Sequence, residues 1–397
     1  MRLRDLAASG LGLLALACSA RASTEPLDAQ APVAVSTSPD PPALPDAPAA
    51  RRLRLVAAGD ISYGREVGQV LLRKPGHDFF APISRWLGAG DVRFANLESV
   101  LTDRHGETQS PDMELVFSGP PSGADSLKRS GFDVVSLANN HAWDYGKKGF
   151  FETLDNLDRV GIRYVGAGRD RKQAYGATIV EHGGVRLAVL AVTDIWNQGV
   201  LRTHKAAEFV AGPDKATLVE SVRALRADPT LDAIAVSHHG GCEFLDHPLP
   251  RTRELAHAAI DAGADVIIGH HPHVVQGIEW YRDRPILYSL GNLVMRLKDG
   301  RPRDGTGYLA RIELAPFATP VLWICPYRID DYKMRPFAEV KTGQGQEKRF
   351  LRHLGGISRP WGGIAFGVHG EDGCWQVHAA PVGPEAPPPS RRAQGEG

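Results

Sequence analysis

Asn139, Asn140 and His141 close the apolar run Phe132 to Leu137 where ordinary turn residues would serve, and Asp144 and Gly146 follow them. Further along, His238 and His239 precede Glu243 in "HHGGCE", and "GHHPH" sets His270, His271 and His273 around Pro272. Seven of the fifteen histidines fall between residues 238 and 273, so imidazole is concentrated in one part of the chain. Other apolar runs end on "GD" (Gly59, Asp60), "NLE" (Asn96, Glu98) and "SLGN" (Asn292). Carboxylate, amide and imidazole together make a mixed oxygen and nitrogen donor set, which suits a pair of divalent transition ions such as Mn²⁺, Fe or Zn²⁺. His271 and His273, on one side of an extended segment stiffened by Pro272, could grip one ion. Each piece alone has a plainer reading. Asp60 could cap a helix, Glu98 could be solvated, and Asn139 with Asn140 could form an Asx turn.

Those residues need strands to carry them. Runs at 53–59, 92–98, 133–139, 185–193, 232–239, 264–271 and 285–292 read as strands, several of them continuously apolar. Continuous runs fit strands covered on both faces, by helices or by a second sheet. Between them, Gly149 to Val160, Pro213 to Ala227 and Pro250 to Ala262 repeat apolar residues at helical spacing. The pattern is a layered α/β domain, in which ligands bind at the carboxyl ends of the strands, so the polar endings should converge. After residue 310 the pattern loosens, and "YLARIELAPF" with "PVLWICPYRID" reads as an antiparallel pair.

Lysine plus arginine equal aspartate plus glutamate at 46 each, so no net field points to nucleic acid as a partner. The apolar segment 6–18 follows "MRLRD" and is shorter than the roughly 20 residues that span a bilayer. That layout fits a secretory signal over 1–22, ending either at a lipidated Cys18 or at the small residues "ARA". The expectation is an exported protein: periplasmic, an envelope lipoprotein or secreted. Residues 23–50 carry seven prolines and almost no large apolar side chain, which makes them a tether. Residues 51–330 are expected to form the main domain, 331–380 an extension packed on it, and 381–397 a disordered tail. In an oxidising compartment Cys325 and Cys374 are free to pair, leaving Cys242, or all three remain thiols.

Taken in order, "AAGDISYG", "ANLESVLTD", "SLANNHAWDYGKKG", "GAGRDRKQA", "SHHGGCEF", "GADVIIGHHPHVVQGIE" and "ILYSLGN" resemble the successive motifs of the CapA-type capsule biosynthesis proteins associated with poly-γ-glutamate. That family is similar in fold to the calcineurin-like metallophosphoesterases, which implies a layered α-β-β-α sandwich. The resemblance implies that Asp60, Glu98, Asn140, His239, His271 and His273 ligate two ions. It makes His141 a catalytic histidine, which beside two ions would be a general acid or stabilise developing charge; Asp144 could orient it or cap a turn, and Glu243 could be a base or substrate contact. Asn96, Asn139, His238, His270 and Asn292 are then expected near substrate. Gly240 departs from the family's motif, which has an aromatic residue there, and Ser62 sets the chain apart from ordinary phosphoesterases, which carry a histidine two residues after the first-strand aspartate.

Three functions follow from this. The first is an envelope protein acting in synthesis, export or anchoring of an anionic extracellular polymer, with membrane-complex partners. The second is a secreted metal-dependent hydrolase of phosphorylated or carboxylated small substrates, and the third a metal-binding scaffold without turnover. The chain shows no Walker-type nucleotide loop, so it does not activate glutamate itself.

Overall fold

A computed structural model of the protein describes residues 51–296, 305–340 and 343–381. The expected export segment and tether, and the tail beyond Pro381, lie outside the described residues. No helix among the described residues is long and apolar enough to cross a membrane.

The apolar runs become strands buried on both faces. In Leu53–Ile61, Val56 and Ala58 point into a cluster shared with the helices Arg65–Arg73, Ser122–Arg129 and Gly146–Val160. Leu55 and Ala57 point the other way, into a cluster with Leu187, Ala235, Val266 and Ile268. The alternation follows from the two-residue repeat of a strand. Those partners belong to a second sheet, whose far face (Leu190, Ile234, Ile267) packs on the helices Lys215–Ala227 and Pro250–Ala262. Two sheets thus lie face to face between helical layers, the α-β-β-α order that the resemblance implied.

Both sheets have a parallel heart. Leu53–Ile61, Val92–Leu97, Val134–Ser136 and Arg163–Val165 run side by side in the ten-stranded sheet. Val185–Thr193, Ala233–His239, Val266–His270 and Arg284–Leu287 do so in the six-stranded one. Parallel neighbours end on the same side, and this gathers the polar endings.

Local chemistry sets the helix limits. Asp214 caps Lys215–Ala227 through the Ala216 amide, and Pro250 opens Pro250–Ala262, which stops at Gly263 with a left-handed φ of 120°.

Two expectations need correction. The run 285–292 is not one strand. Arg284–Leu287 belongs to the six-stranded sheet and Asn292–Val294 to the ten-stranded one, and the chain crosses between them through Gly291 at φ 76°. The region after 310 is also more regular than its sequence. Thr306–Leu314 and Val321–Asp330 pair antiparallel as expected, but Trp375–Ala379 and Ile364–His369 extend the same sheet, and Gly343–Ser358 forms a helix despite four glycines. Each interior glycine costs a helix about 1 kcal/mol. Burial of Phe350, Leu351 and Leu354 offsets that cost. Cys325 and Cys374 are joined.

The crossing fixes one glycine. A Cβ on Gly59 would lie 1.9 Å from the Gly291 carbonyl oxygen, where the Asp60 amide donates to the same oxygen at 3.2 Å. Gly59→Ala is expected to destabilise the fold by about 3 kcal/mol through backbone overpacking. Thermal melting checks this, and an unchanged melting temperature would count against so close an approach.

Candidate metal centre

The six residues expected as ligands reach one cluster from five strand ends, His271 and His273 both following Val266–His270. Glu98, His239 and His271 form one group, and Asp60, Glu98 and His273 another, with ligand atoms within 4.8 Å of one another in each. Glu98 belongs to both groups, which is the geometry of a bridging carboxylate. Asn140 joins the first group: its Oδ1 lies 2.8 Å from His239 Nε2. All six side chains are buried, Asp60, Glu98 and His239 at 0% exposure.

The fit to divalent ions rests on the chemistry and on unspent polar atoms. Two carboxylates, three imidazoles and an amide oxygen in a water-poor cluster carry a large desolvation cost unless a cation is present. Glu98 Oε1 and His271 Nδ1 are buried without a hydrogen-bond partner. Ser62 Oγ accepts from the Gly64 amide at 3.3 Å, and Ser62 is not among the grouped ligand atoms. The position bounded by Asp60, Glu98 and His273 is therefore the poorer in protein ligands.

The expected extended segment at 271–273 is not what forms. His271 has φ 99° and His273 has φ 58°, both in the left-handed region that costs a non-glycine residue about 1–3 kcal/mol. This backbone sends the two imidazoles to different candidate groups.

Of the five residues expected near substrate, Asn96, Asn139, His270 and Asn292 lie behind the ligands and His238 points elsewhere. Asn96 Nδ2 donates to Asp60 Oδ1 at 2.8 Å and lies 3.2 Å from His239 Nδ1. Asn139 donates to Asn96 Oδ1 and the Leu97 carbonyl, and its own oxygen accepts from the His141 amide. Asn292 Oδ1 is 2.9 Å from His273 Nδ1, and His270 Nδ1 is 3.1 Å from Asp60 Oδ1. His238 follows strand alternation away from His239, to 3.5 Å from Asp194 Oδ1. The Asp194–His238 pair fills the space that a side chain at position 240 would need: a Cβ on Gly240 would meet Asp194 Oδ1 at 2.0 Å. None of the five lines the cavity outside the cluster; Asn96, Asn292 and His270 contact ligand side chains, Asn139 braces Asn96, and His238 contacts Asp194 instead.

That cavity, about 230 Å³, is lined by Glu98, Asn140, His141, Glu243 and His273. Arg65, Phe117, Asn197 and Phe244 also line it, and nothing in their spacing marked them. His141 Nδ1 lies 2.8 Å from Asp144 Oδ2, which also accepts from the Phe117 amide at 2.7 Å. The His141 ring stands 4.9 Å from that of Phe117. Burial pushes the Asp144 carboxyl above its usual range, against the pull of His141 and the Phe117 amide.

Burial also sets the charge state of the cluster. It drives Glu98 well up, helped by the Asp60 charge, and drives His239 well down; His271 falls to about 3. Asp60 is held well below its ordinary value because contacts with His270 and His273 outweigh its burial. Burial opposes charge on His273 as well, but Glu98 and Asp60 raise it to about 10. The metal-free cluster therefore holds a proton at neutral pH on His273, which must lose it to ligate an ion. Metal uptake is expected to release protons, and affinity to fall as pH is lowered. Calorimetry in buffers of different ionisation enthalpy checks this; an apparent enthalpy independent of buffer would overturn it.

Comparison with known proteins gives a consistent family. The profile of the family described as "Bacterial capsule synthesis protein PGA_cap" matches residues 54–296. The capsule biosynthesis protein CapA of Bacillus anthracis is 33% identical over 290 residues, covering 72% of this chain and 69% of that protein. The PGA biosynthesis protein CapA of Bacillus subtilis strain 168 is 33% identical over 301 residues, covering 75% of this chain and 76% of that one. Among solved structures, the calcineurin-like phosphoesterase YfkN from Bacillus subtilis is 13% identical with a TM-score of 0.41, covering 78% of this chain and 99% of its own.

Proposed function

The chain belongs to the bacterial capsule synthesis family PGA_cap, and from that premise we propose that it acts in synthesis, export or anchoring of an anionic extracellular polymer resembling poly-γ-glutamate. The observation that carries the reading is Glu98, shared by two buried ligand groups beside an open cavity. Two divalent ions bound there would supply Lewis acidity and neutralise charge developing in a transition state. Arg65 and Arg296 line the same cavity and match the carboxylates of an acidic chain, while Glu243 stands among them as a base or substrate contact. His141, its Nδ1 turned to Asp144, has Nε2 left to hold or donate a proton at the leaving group.

Export through residues 1–22 places this chemistry at the envelope, attached where Cys18 is lipidated and alongside membrane-complex partners. The Cys325–Cys374 bond supports that setting, because such bonds persist in oxidising compartments.

The test compares the wild type with Asn140→Ala. Metal content is measured by mass spectrometry, then turnover of poly-γ-glutamate and of a chromogenic phosphodiester. Polymer shortening by the metal-loaded wild type is expected, lowered about 10–100-fold by Asn140→Ala. Turnover of the phosphodiester alone would replace the polymer reading with that of a metallophosphoesterase. Bound metal with turnover of neither substrate would make the protein a scaffold.

A further inference from the structure

We propose that Asn197 is a positioning residue that fixes which end of the Asn140 amide faces the ligand cluster, and through it how tightly the ion bounded by Glu98, His239 and His271 is held. The inference rests on the reading of this cluster as a metal centre. An asparagine side chain has an acceptor and a donor at equal reach, and only the oxygen can hold a cation. The Asn140 backbone does not choose between them. Its Nδ2 donates to Asn197 Oδ1 at 3.1 Å, and this turns its Oδ1 toward His239 Nε2, 2.8 Å away.

Asn197 can do this because its loop is tied to both elements it serves. Thr193 Oγ1 accepts from the Ile195 amide at 3.2 Å and lies 3.1 Å from the carbonyl oxygen of His239, to which the Asp194 amide also donates at 3.1 Å. On the other side Gln198 Nε2 donates to the carbonyl of Trp143, three residues after Asn140, at 3.2 Å. Trp196 packs on His204 with ring centres 5.6 Å apart. The loop therefore spans the strand ends that carry Asn140 and His239, and presents Asn197 at the cavity wall between them. A side chain held in this way acts on the ion without touching it.

The experiment is a Mn²⁺ titration of metal-free wild type, Asn197→Asp and Asn197→Leu by calorimetry, with metal-free melting temperatures as the folding control. Aspartate accepts and never donates, so Asn197→Asp should hold Mn²⁺ as tightly as the wild type or more so. Asn197→Leu should lose about 10–100-fold in affinity at one of two ion positions, the other unchanged. Asn197→Ala takes its place if the leucine variant melts early. Wild-type affinity in the leucine or alanine variant, or equal losses in Asn197→Asp, would overturn the positioning role while leaving the metal centre standing. A wild type that takes up no Mn²⁺ would overturn both.

Discussion

Glu98→Gln is expected to abolish binding at both ion positions, a loss well beyond the roughly 10–100-fold that removal of an outer hydrogen bond costs a metal site. The reason is the sharing of Glu98 between two ligand groups: one substitution removes an anionic oxygen from each. Turnover of any substrate that needs the ions should vanish with them. The change should not unfold the metal-free protein. Burial and the Asp60 charge raise the Glu98 carboxyl well above its ordinary value, so ionised Glu98 is disfavoured in the metal-free protein, and glutamine carries no charge to bury. The sign supports this. A carboxyl with a higher pKa folded than unfolded lowers stability as pH rises above its ordinary value, and glutamine removes that penalty. Wild-type melting should rise on adding Mn²⁺, because an ion that binds only the folded state stabilises it, and the variant should show no rise. Metal content after dialysis is the direct check, and two retained equivalents would refute the shared position.

The second large effect concerns the Cys325–Cys374 bond, which closes a separation of 49 residues between the strands Val321–Asp330 and Trp375–Ala379. Both sulfurs are buried in the cluster under the ten-stranded sheet. Cys325→Ala with Cys374→Ala is expected to cost about 3–4 kcal/mol, chiefly by freeing the unfolded chain, which is roughly a hundredfold to a thousandfold in the folding equilibrium. Urea unfolding of the oxidised wild type and the double variant measures it; coincident midpoints would show that strand pairing alone holds this edge.

Much of the candidate cluster was legible in the sequence because its members sit where continuous apolar runs stop, and a run ending on carboxylate, amide or imidazole has few structural uses. Their partition was not legible. Which imidazole joins which candidate group depends on the left-handed backbone at His271 and His273, and no spacing rule signals that conformation in non-glycine residues. Asn96, Asn139 and Asn292 were recognised as relevant and assigned to substrate, since composition cannot tell a residue that touches a ligand from one that holds it. Asn197 escaped entirely, as a loop asparagine whose role exists only through the contact with Asn140. In the fold, apolar periodicity located the parallel strands and the helices between them. The helix Gly343–Ser358 was missed because its glycines argue against helix locally, and only tertiary burial reverses them. The sulfur pairing needed strand neighbours that sequence cannot supply: Ile324 opposite Trp375.

Residues matched by the family stop at 296, yet Thr306–Leu314 zips along Leu53–Ala57, and the Tyr327 hydroxyl donates to the Asn292 carbonyl at 2.7 Å. The recognisable segment is thus not an autonomous unit. Cut at that limit, the strand that bears Asp60 would show a bare hydrogen-bonding margin, an invitation to filament-like self-association. The carboxyl-terminal strands thus shield the strand on which the candidate chemistry begins.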